Sequence, residues 1–286
     1  MIDLHCHSTA SDGSLTPGQL LQAAAKIHLK ALALTDHDTI DGLAEFRDAG
    51  RDCAVEAVPG IELAAAEAEK PLRSYHIVGL FLDGDDTRMR TLLSDVIRWR
   101  NERNVQIIAK LSAMGYEITL EDALAQSGGG VLGRPHIASA LALKGYVSDV
   151  RKAFELLLAS GKPAYVSRQL PTPAAAIVAI HSMGGRAIWA HPFTRGHFTN
   201  QQMRRLAVDL KDVGLDGIEA YYPLHTPTQT RLAIQMGKDF GLLVSGGSDY
   251  HGVRFKRIEL GVGYGNLNVP DGLLEPLKEL KKKTCQ

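Results

Sequence analysis

The sequence predicts an α/β fold, a barrel of parallel strand–helix repeats broken once by a helical insertion. Three observations carry this expectation. Short β-rich runs alternate with helical patterns along most of the 286 residues, the order expected of parallel βα units. The helical patterns open on recognisable caps, and one stretch of about 75 residues is too long and too helical for an ordinary βα connection. The strands are read at Ile2–His7, Ala31–Thr35, Ala54–Glu62, Ser74–Phe81, Arg186–Ala190, Gly217–Tyr221 and Leu242–Ser245, seven in all. Between them Thr16-Pro17 opens Leu20–Ile27, Asp41 opens Leu43–Ala49, Thr172-Pro173 opens Ala174–Met183 and Thr226-Pro227 opens Thr230–Phe240. Each start places a proline or an acid where a first helical turn tolerates it.

Where the alternation stops, four helical segments follow one another: Thr87–Met114, Leu120–Gln126, Pro135–Leu143 and Val150–Ala159. The chain therefore divides into a barrel, residues 1–86 and 162–286, and an inserted helical subdomain, residues 87–161. Gly128-Gly129-Gly130 interrupts the insertion. It lacks the Lys-Ser/Thr and the preceding strand of a phosphate loop and reads as a hinge.

Composition sets outer limits. With 32 Lys and Arg against 32 Asp and Glu the chain is formally neutral, which excludes a general nucleic-acid coat or a membrane-surface protein. The neutrality hides an acidic opening third: residues 1–95 carry 8 basic against 16 acidic side chains. Such an excess is either a solvated face or a place where carboxylates meet cations. No apolar run approaches a membrane span and the start, Met-Ile-Asp-Leu-His-Cys-His, has no secretory character, so a cytoplasmic protein is expected. Cys6, Cys53 and Cys285 form neither a disulfide framework nor a zinc ribbon.

Histidine carries the chemical signal. His5 and His7 share one face of the first strand, because side chains two apart point the same way. A lone His-x-His is a weak signal, but others join it at successive strand ends: Asp12, His37, Glu62, His76, His191, Asp249 and His251. Parallel strands of a barrel end on one face, so these nine groups are expected to converge on its mouth. Six histidines and three carboxylates exceed what one ion takes and fit two or three, and nitrogen and oxygen ligands without thiolate suit Mn, Fe or Zn. A merely wet barrel mouth would leave many neighbouring charges uncompensated. Asp36 and Asp38 flank His37, and either could fix its tautomer or cap the next helix.

The ordered set His5-x-His7, Asp12, Thr35-Asp36-His37-Asp38, Gly60-Ile61-Glu62, His76-Ile77-Val78-Gly79, Ala190-His191-Pro192 and Gly247-Ser248-Asp249-x-His251 resembles the PHP family, the polymerase and histidinol phosphatase domain. The resemblance is strongest to the branch that removes the 3′ phosphate from nucleoside 3′,5′-bisphosphates, related to 5′ to 3′ exoribonucleases of short RNA. It implies a distorted (β/α)7 TIM-like barrel of the PHP type with an inserted helical subdomain. It also implies three metals, usually manganese: one held by His5, His7, Glu62 and Asp249, a second by Asp12, His37 and His251, and a third by Glu62, His76 and His191, Glu62 bridging. Within this set Asp12, His37, Glu62, His191, Asp249 and His251 are the expected catalytic residues. Arg134 and His136 match the family's phosphate-binding Arg-x-His.

Phosphoester hydrolysis needs an activated water and neutralised phosphoryl oxygens, which adjacent divalent ions supply. Arg100 and Arg103, three apart on the long helix, are candidates for a second phosphate, against the alternative of a solvated helix face. His197 is a candidate substrate contact, whereas His28, His181 and His225 read as packing or surface residues. The lysines from Lys278 to Lys283 read as a solvated helix end. The expected reaction is hydrolysis of a nucleoside 3′,5′-bisphosphate by a monomer acting on a small nucleotide or short RNA, with no duplex DNA and no membrane partner. Exoribonuclease, histidinol phosphate phosphatase and a non-enzymatic metal-binding module are the alternatives.

Overall fold

The computed structural model describes residues 1–67, 70–127, 132–194, 198–252 and 258–279. Gly128, Gly129, Gly130, His197 and the lysines beyond residue 279 lie outside the described residues.

A curled seven-stranded sheet forms the frame. Its strands are β1 (Asp3–Cys6), β2 (Ala31–Leu34), β3 (Glu56–Glu67), β4 (Lys70–Leu80), β5 (Arg186–Trp189), β6 (Gly217–Tyr221) and β7 (Leu243–Gly246), and they neighbour one another in that order. Past the end of β7, the amide of Asp249 donates to the carbonyl of His5 (2.8 Å) and that of His7 to the carbonyl of Tyr250 (2.9 Å), so both edges of the sheet meet at the ligand-type residues.

The strands are not all parallel, as the repeat pattern leads one to expect. β1, β2 and β3 are parallel, as are β5, β6 and β7, but β4 runs antiparallel to both neighbours. The physical reason is the link: β4 begins three positions after β3 ends, far too short for the crossover that parallel pairing requires. His76 therefore does not sit at a strand's C-terminal end. It lies inside β4 opposite Ala64 of β3, and reaches the other ligands because the long hairpin carries it there.

The helices follow their caps: α1 (Pro17–Lys26), α2 (Leu43–Gly50), α3 (Thr87–Ala113), α4 (Leu120–Leu124), α5 (Arg134–Leu143), α6 (Val150–Ala153), α7 (Pro173–Ser182), α8 (Asn200–Asp212), α9 (Pro227–Phe240) and α10 (Leu274–Glu279). Thr16, Thr172 and Thr226 each accept the amide of the third helical residue, closing the starts expected for α1, α7 and α9. Gly42, not Asp41, stands at the start of α2 and offers no side chain to it. α6 continues as a π-helical turn, Phe154–Leu158. α8, which the sequence reading does not name, has the same signature without proline, a capping box between Thr199 and Gln202.

The chain separates into two compact units, Met1–Leu92 with Pro171–Gln286, and Leu93–Leu170, the first boundary falling inside α3. In the first, Ile2, Leu4, Ala33, Val58, Val78, Leu80 and Ile188 pack with Val269, Leu274 and Leu277, so α10 contributes to the core of the sheet. Each leucine, isoleucine or valine among them contributes about 1.5–3 kcal/mol on burial. The helical unit has its own core, centred on Ile107, Leu111, Ile137, Leu141 and Leu158. No helix among the described residues is long and apolar enough to cross a membrane.

Candidate metal centre and arginine cluster

Glu62 stands at the centre of the polar cluster in the first unit, fully buried. Its two oxygens serve different partners. Oε2 lies 3.4 Å from Nε2 of His5, 3.4 Å from Nε2 of His7 and 2.8 Å from Nδ1 of His37. Oε1 lies 2.5 Å from Nδ1 of His76 and 3.0 Å from Nε2 of His191. Asp249 brings Oδ1 to 3.1 Å from His7 and 3.5 Å from His5, and Asp12 approaches His251 at 3.3 Å and His37 at 3.9 Å.

All nine ligand-type residues are thus drawn together. Among the described residues three groups place one potential ligand atom each within 4.8 Å of the others: His5, His7, Glu62, Asp249; His7, Asp12, His37, His251; and His37, Glu62, His76. The first coincides with a set implied by the family resemblance and the second contains another. In the third His37 stands where the resemblance implies His191, although Nε2 of His191 also lies 3.0 Å from Oε1 of Glu62.

These residues fit bound cations. Nε2 of His5, both ring nitrogens of His7, Oε2 of Glu62 and Oδ1 of Asp249 are buried without a well-formed hydrogen bond. An unsatisfied buried polar atom costs about 1–3 kcal/mol, so five in one place describe a site built for a positive ion. The protonation pattern agrees. Burial opposes charge on Glu62, yet His76, His37 and His5 outweigh it and hold the carboxyl well below its usual range. Burial likewise opposes charge on His37, but Glu62 and Asp12 push the imidazole up to about 9. Burial, then His251 and His37, drives His7 down to about 3. A single cluster holding rings at both extremes has no settled arrangement of its own protons.

The loops carrying the ligands are pinned by two buried aspartates used alike. Asp36 accepts the amide (2.7 Å) and hydroxyl (2.7 Å) of Ser8, next to His7, and the hydroxyl of Ser11 (2.5 Å), next to Asp12. Asp3 accepts the amide (2.8 Å) and hydroxyl (2.5 Å) of Ser248, next to Asp249. Burial raises both carboxyls, and these bonds offset part of the rise. Gly247 is required here, since a Cβ would stand 2.4 Å from the Cβ of His5. Two ligands also sit at left-handed backbone angles, His191 at φ +28° and Asp249 at φ +55°, strain that the surrounding bonds hold in place.

In the helical unit the arginines form a group of one sign. Arg103 is buried on α3, its Nε donating to the carbonyl of Val166 (2.9 Å). Burial, then Arg134, Arg168 and Arg100, lowers it to about 10. Arg134 donates to the carbonyl of Leu158 (3.1 Å) and lies over the rings of Phe154 and Tyr165, 5.6 and 5.8 Å from their centres. His136 has a structural task, its Nδ1 accepting the amide of Gly133 (3.1 Å) at the start of α5.

Residues 3–159 match the PHP domain. The chain belongs to the PHP family. It is 39% identical over 249 residues to a 5′-3′ exoribonuclease of Haemophilus influenzae, covering 87% of this chain and 89% of that protein. It is 34% identical over 251 residues to a 3′,5′-nucleoside bisphosphate phosphatase of Chromobacterium violaceum, covering 87% of each. A crystal structure from Bifidobacterium adolescentis, described as a metal-dependent phosphoesterase, superposes with a TM-score of 0.81 at 28% identity over 96% of this chain and 94% of that one.

Ile218-Glu219 ends a strand in the sequence pattern, as His191 and Asp249 do, but several contacts around this PHP centre are not legible there. Glu219 on β6 and Thr194 after β5 both contact ligand histidines. Tyr222 donates to Oδ2 of Asp249 (2.9 Å), and burial, then Asp249 and Glu219, pushes its hydroxyl far up. His225, read as a residue away from the strand ends, is buried against the Tyr222 ring with Nδ1 on the carbonyl of Ala220 (3.0 Å). Arg168 lies outside the predicted insertion and was not considered. Neither flanking aspartate proves a simple partner of His37: Asp36 holds the Asp12 loop, and Asp38 accepts the amide of Ala64 (3.2 Å) while helping to raise His37.

Proposed function

We propose that this PHP protein is a metal-dependent phosphoesterase that hydrolyses the 3′ phosphate of nucleoside 3′,5′-bisphosphates. The observation that carries the reading is the division of Glu62, one oxygen among His5, His7 and His37 and the other between His76 and His191, ringed by buried unsatisfied ligand atoms. Three divalent ions are proposed, manganese first and iron or zinc as alternatives. His5, His7, Glu62 and Asp249 would hold one, Asp12, His37 and His251 a second, and Glu62, His76 and His191 a third. Bound there, such ions acidify water and neutralise phosphoryl oxygens.

The chain's own groups supply the rest. Asp3 and Asp36 hold the loops of Asp249 and Asp12 in place, so that the ligands need no reorganisation when substrate arrives. Arg103 and Arg134, with Arg100 and Arg168 near them, are proposed as a phosphate-binding group, because guanidinium groups bond phosphate oxygens in pairs. The relative from Chromobacterium violaceum, named for this activity, supports the substrate.

A second reading, exonuclease action on short 5′-phosphorylated RNA, is favoured by the 39% identity to the Haemophilus influenzae enzyme. Phosphate release from adenosine 3′,5′-bisphosphate with manganese is the test, run beside a 5′-phosphorylated oligoribonucleotide and histidinol phosphate. The bisphosphate is expected to turn over fastest. Nucleotide release from RNA with no phosphate from the bisphosphate replaces the first reading by the second.

A further inference from the structure

Glu219 touches two ligand histidines, one with each carboxylate oxygen. Its carboxylate is buried, with Oε1 3.0 Å from Nδ1 of His5, while Oε2 accepts the backbone amide of His191 at 2.6 Å. His5 turns its other nitrogen, Nε2, to Glu62 (3.4 Å) and Asp249 (3.5 Å). An acceptor at Nδ1 places the ring proton there and leaves the lone pair of Nε2 for a cation. Thr194 does the same for His191: its hydroxyl proton goes to the carbonyl of His191 (2.9 Å), so its oxygen accepts from Nδ1 (3.2 Å) and Nε2 is left facing Glu62.

We propose that Glu219 is a positioning residue that couples two metal positions, setting the tautomer of His5 in one and holding the backbone of His191 in the other. The inference rests on the metal-centre reading above. Both of Glu219's partners are donors, an imidazole N–H and a backbone N–H, so only a group accepting through two atoms satisfies them together. A carboxylate does; an amide of the same shape does not. With Gln at this position, an NH2 facing His5 would demand the lone pair of Nδ1 and move the proton to Nε2, where a cation must bind. An NH2 facing His191 would oppose two donors and release a backbone held at φ +28°. Either orientation injures one of the two positions, although size, packing and polarity are nearly unchanged.

Manganese titration of chelator-stripped wild type and Glu219→Gln, followed by calorimetry and by elemental analysis of the protein after dialysis, reads this without reference to turnover. The proposal expects wild type to bind manganese and the variant to bind its weakest ion about 10- to 100-fold less tightly, with the thermal midpoint of the metal-free protein little changed. Equal affinity and stoichiometry in the two proteins overturn the role of Glu219 and leave the metal centre standing. No manganese in wild type overturns both. Should the variant fail to fold, the ring nitrogens of His5 in zinc-loaded, 15N-labelled wild type decide: a proton on Nδ1 supports the assignment, and a proton on Nε2 overturns it.

Discussion

The two polar clusters of this protein are unfinished in opposite senses. In the first unit, histidines and carboxylates of mixed charge surround buried atoms that lack partners, and some rings are pushed up while a neighbour is pushed down. In the helical unit, burial and then neighbouring arginines lower Arg103 to about 10. The first cluster suits cations, and the second is proposed to take an anion. Buried ligand atoms without partners are thus more informative about ligands than any single residue type, because stability alone would have selected a paired or apolar arrangement.

The comparison can be broken in several ways, the largest effect first. Glu62→Gln removes the charge that two groups of histidines share, and kcat on the bisphosphate should fall on the order of 10³-fold, with less metal retained on elemental analysis. Near wild-type turnover in this variant would mean that the centre is not organised around Glu62. Arg134→Ala and Arg103→Ala should instead raise KM, lowering kcat/KM by about 10- to 100-fold while kcat changes little, as expected for a lost charge-assisted bond. Intact steady-state constants in both variants would remove the anion half of the comparison.

Protons sharpen it further. His37 is raised from 6.5 to about 9, so in the metal-free protein its partnership with Glu62 contributes stability fully present below pH 6.5 and lost as pH rises through about 9. A cation must displace that proton, so manganese affinity should increase across the same window and binding should release protons. Titrations in two buffers of different ionisation heat check both, and pH-independent binding would place the ion elsewhere. The smallest effect belongs to the supports: Asp36→Asn, which keeps one acceptor for Ser8 and Ser11, should cost about 1–2 kcal/mol of stability, seen in the thermal midpoint, with a milder loss of turnover than at Glu62.

Much of the centre was legible because its residues recur at the ends of elements whose order the sequence shows. His5-x-His7 lies on a strand by alternation, and Asp12, His37, Glu62 and Asp249 follow strand starts that hydrophobic runs mark. What was not legible depends on pairing direction and on distance across the sheet. Nothing in the run Tyr75-His76-Ile77 tells an antiparallel hairpin from a parallel strand, so His76 counts among the strand-end groups in the sequence although it lies inside β4. Glu219 reads as one acid in Gly-Ile-Glu-Ala-Tyr, and its link to His5 spans 214 positions. Arg168 joins Arg103 from a segment with no regular pattern, and only the folded helical unit brings the two together.

Glu62 and the eight ligand-type side chains around it are proposed as a metal centre that hydrolyses phosphoesters. Chelator-stripped protein assayed for phosphate release from adenosine 3′,5′-bisphosphate, before and after manganese is restored, tests it most directly. The account predicts no release from the stripped protein and recovery as manganese is added. Release at an undiminished rate from protein shown by elemental analysis to be free of metal would contradict it.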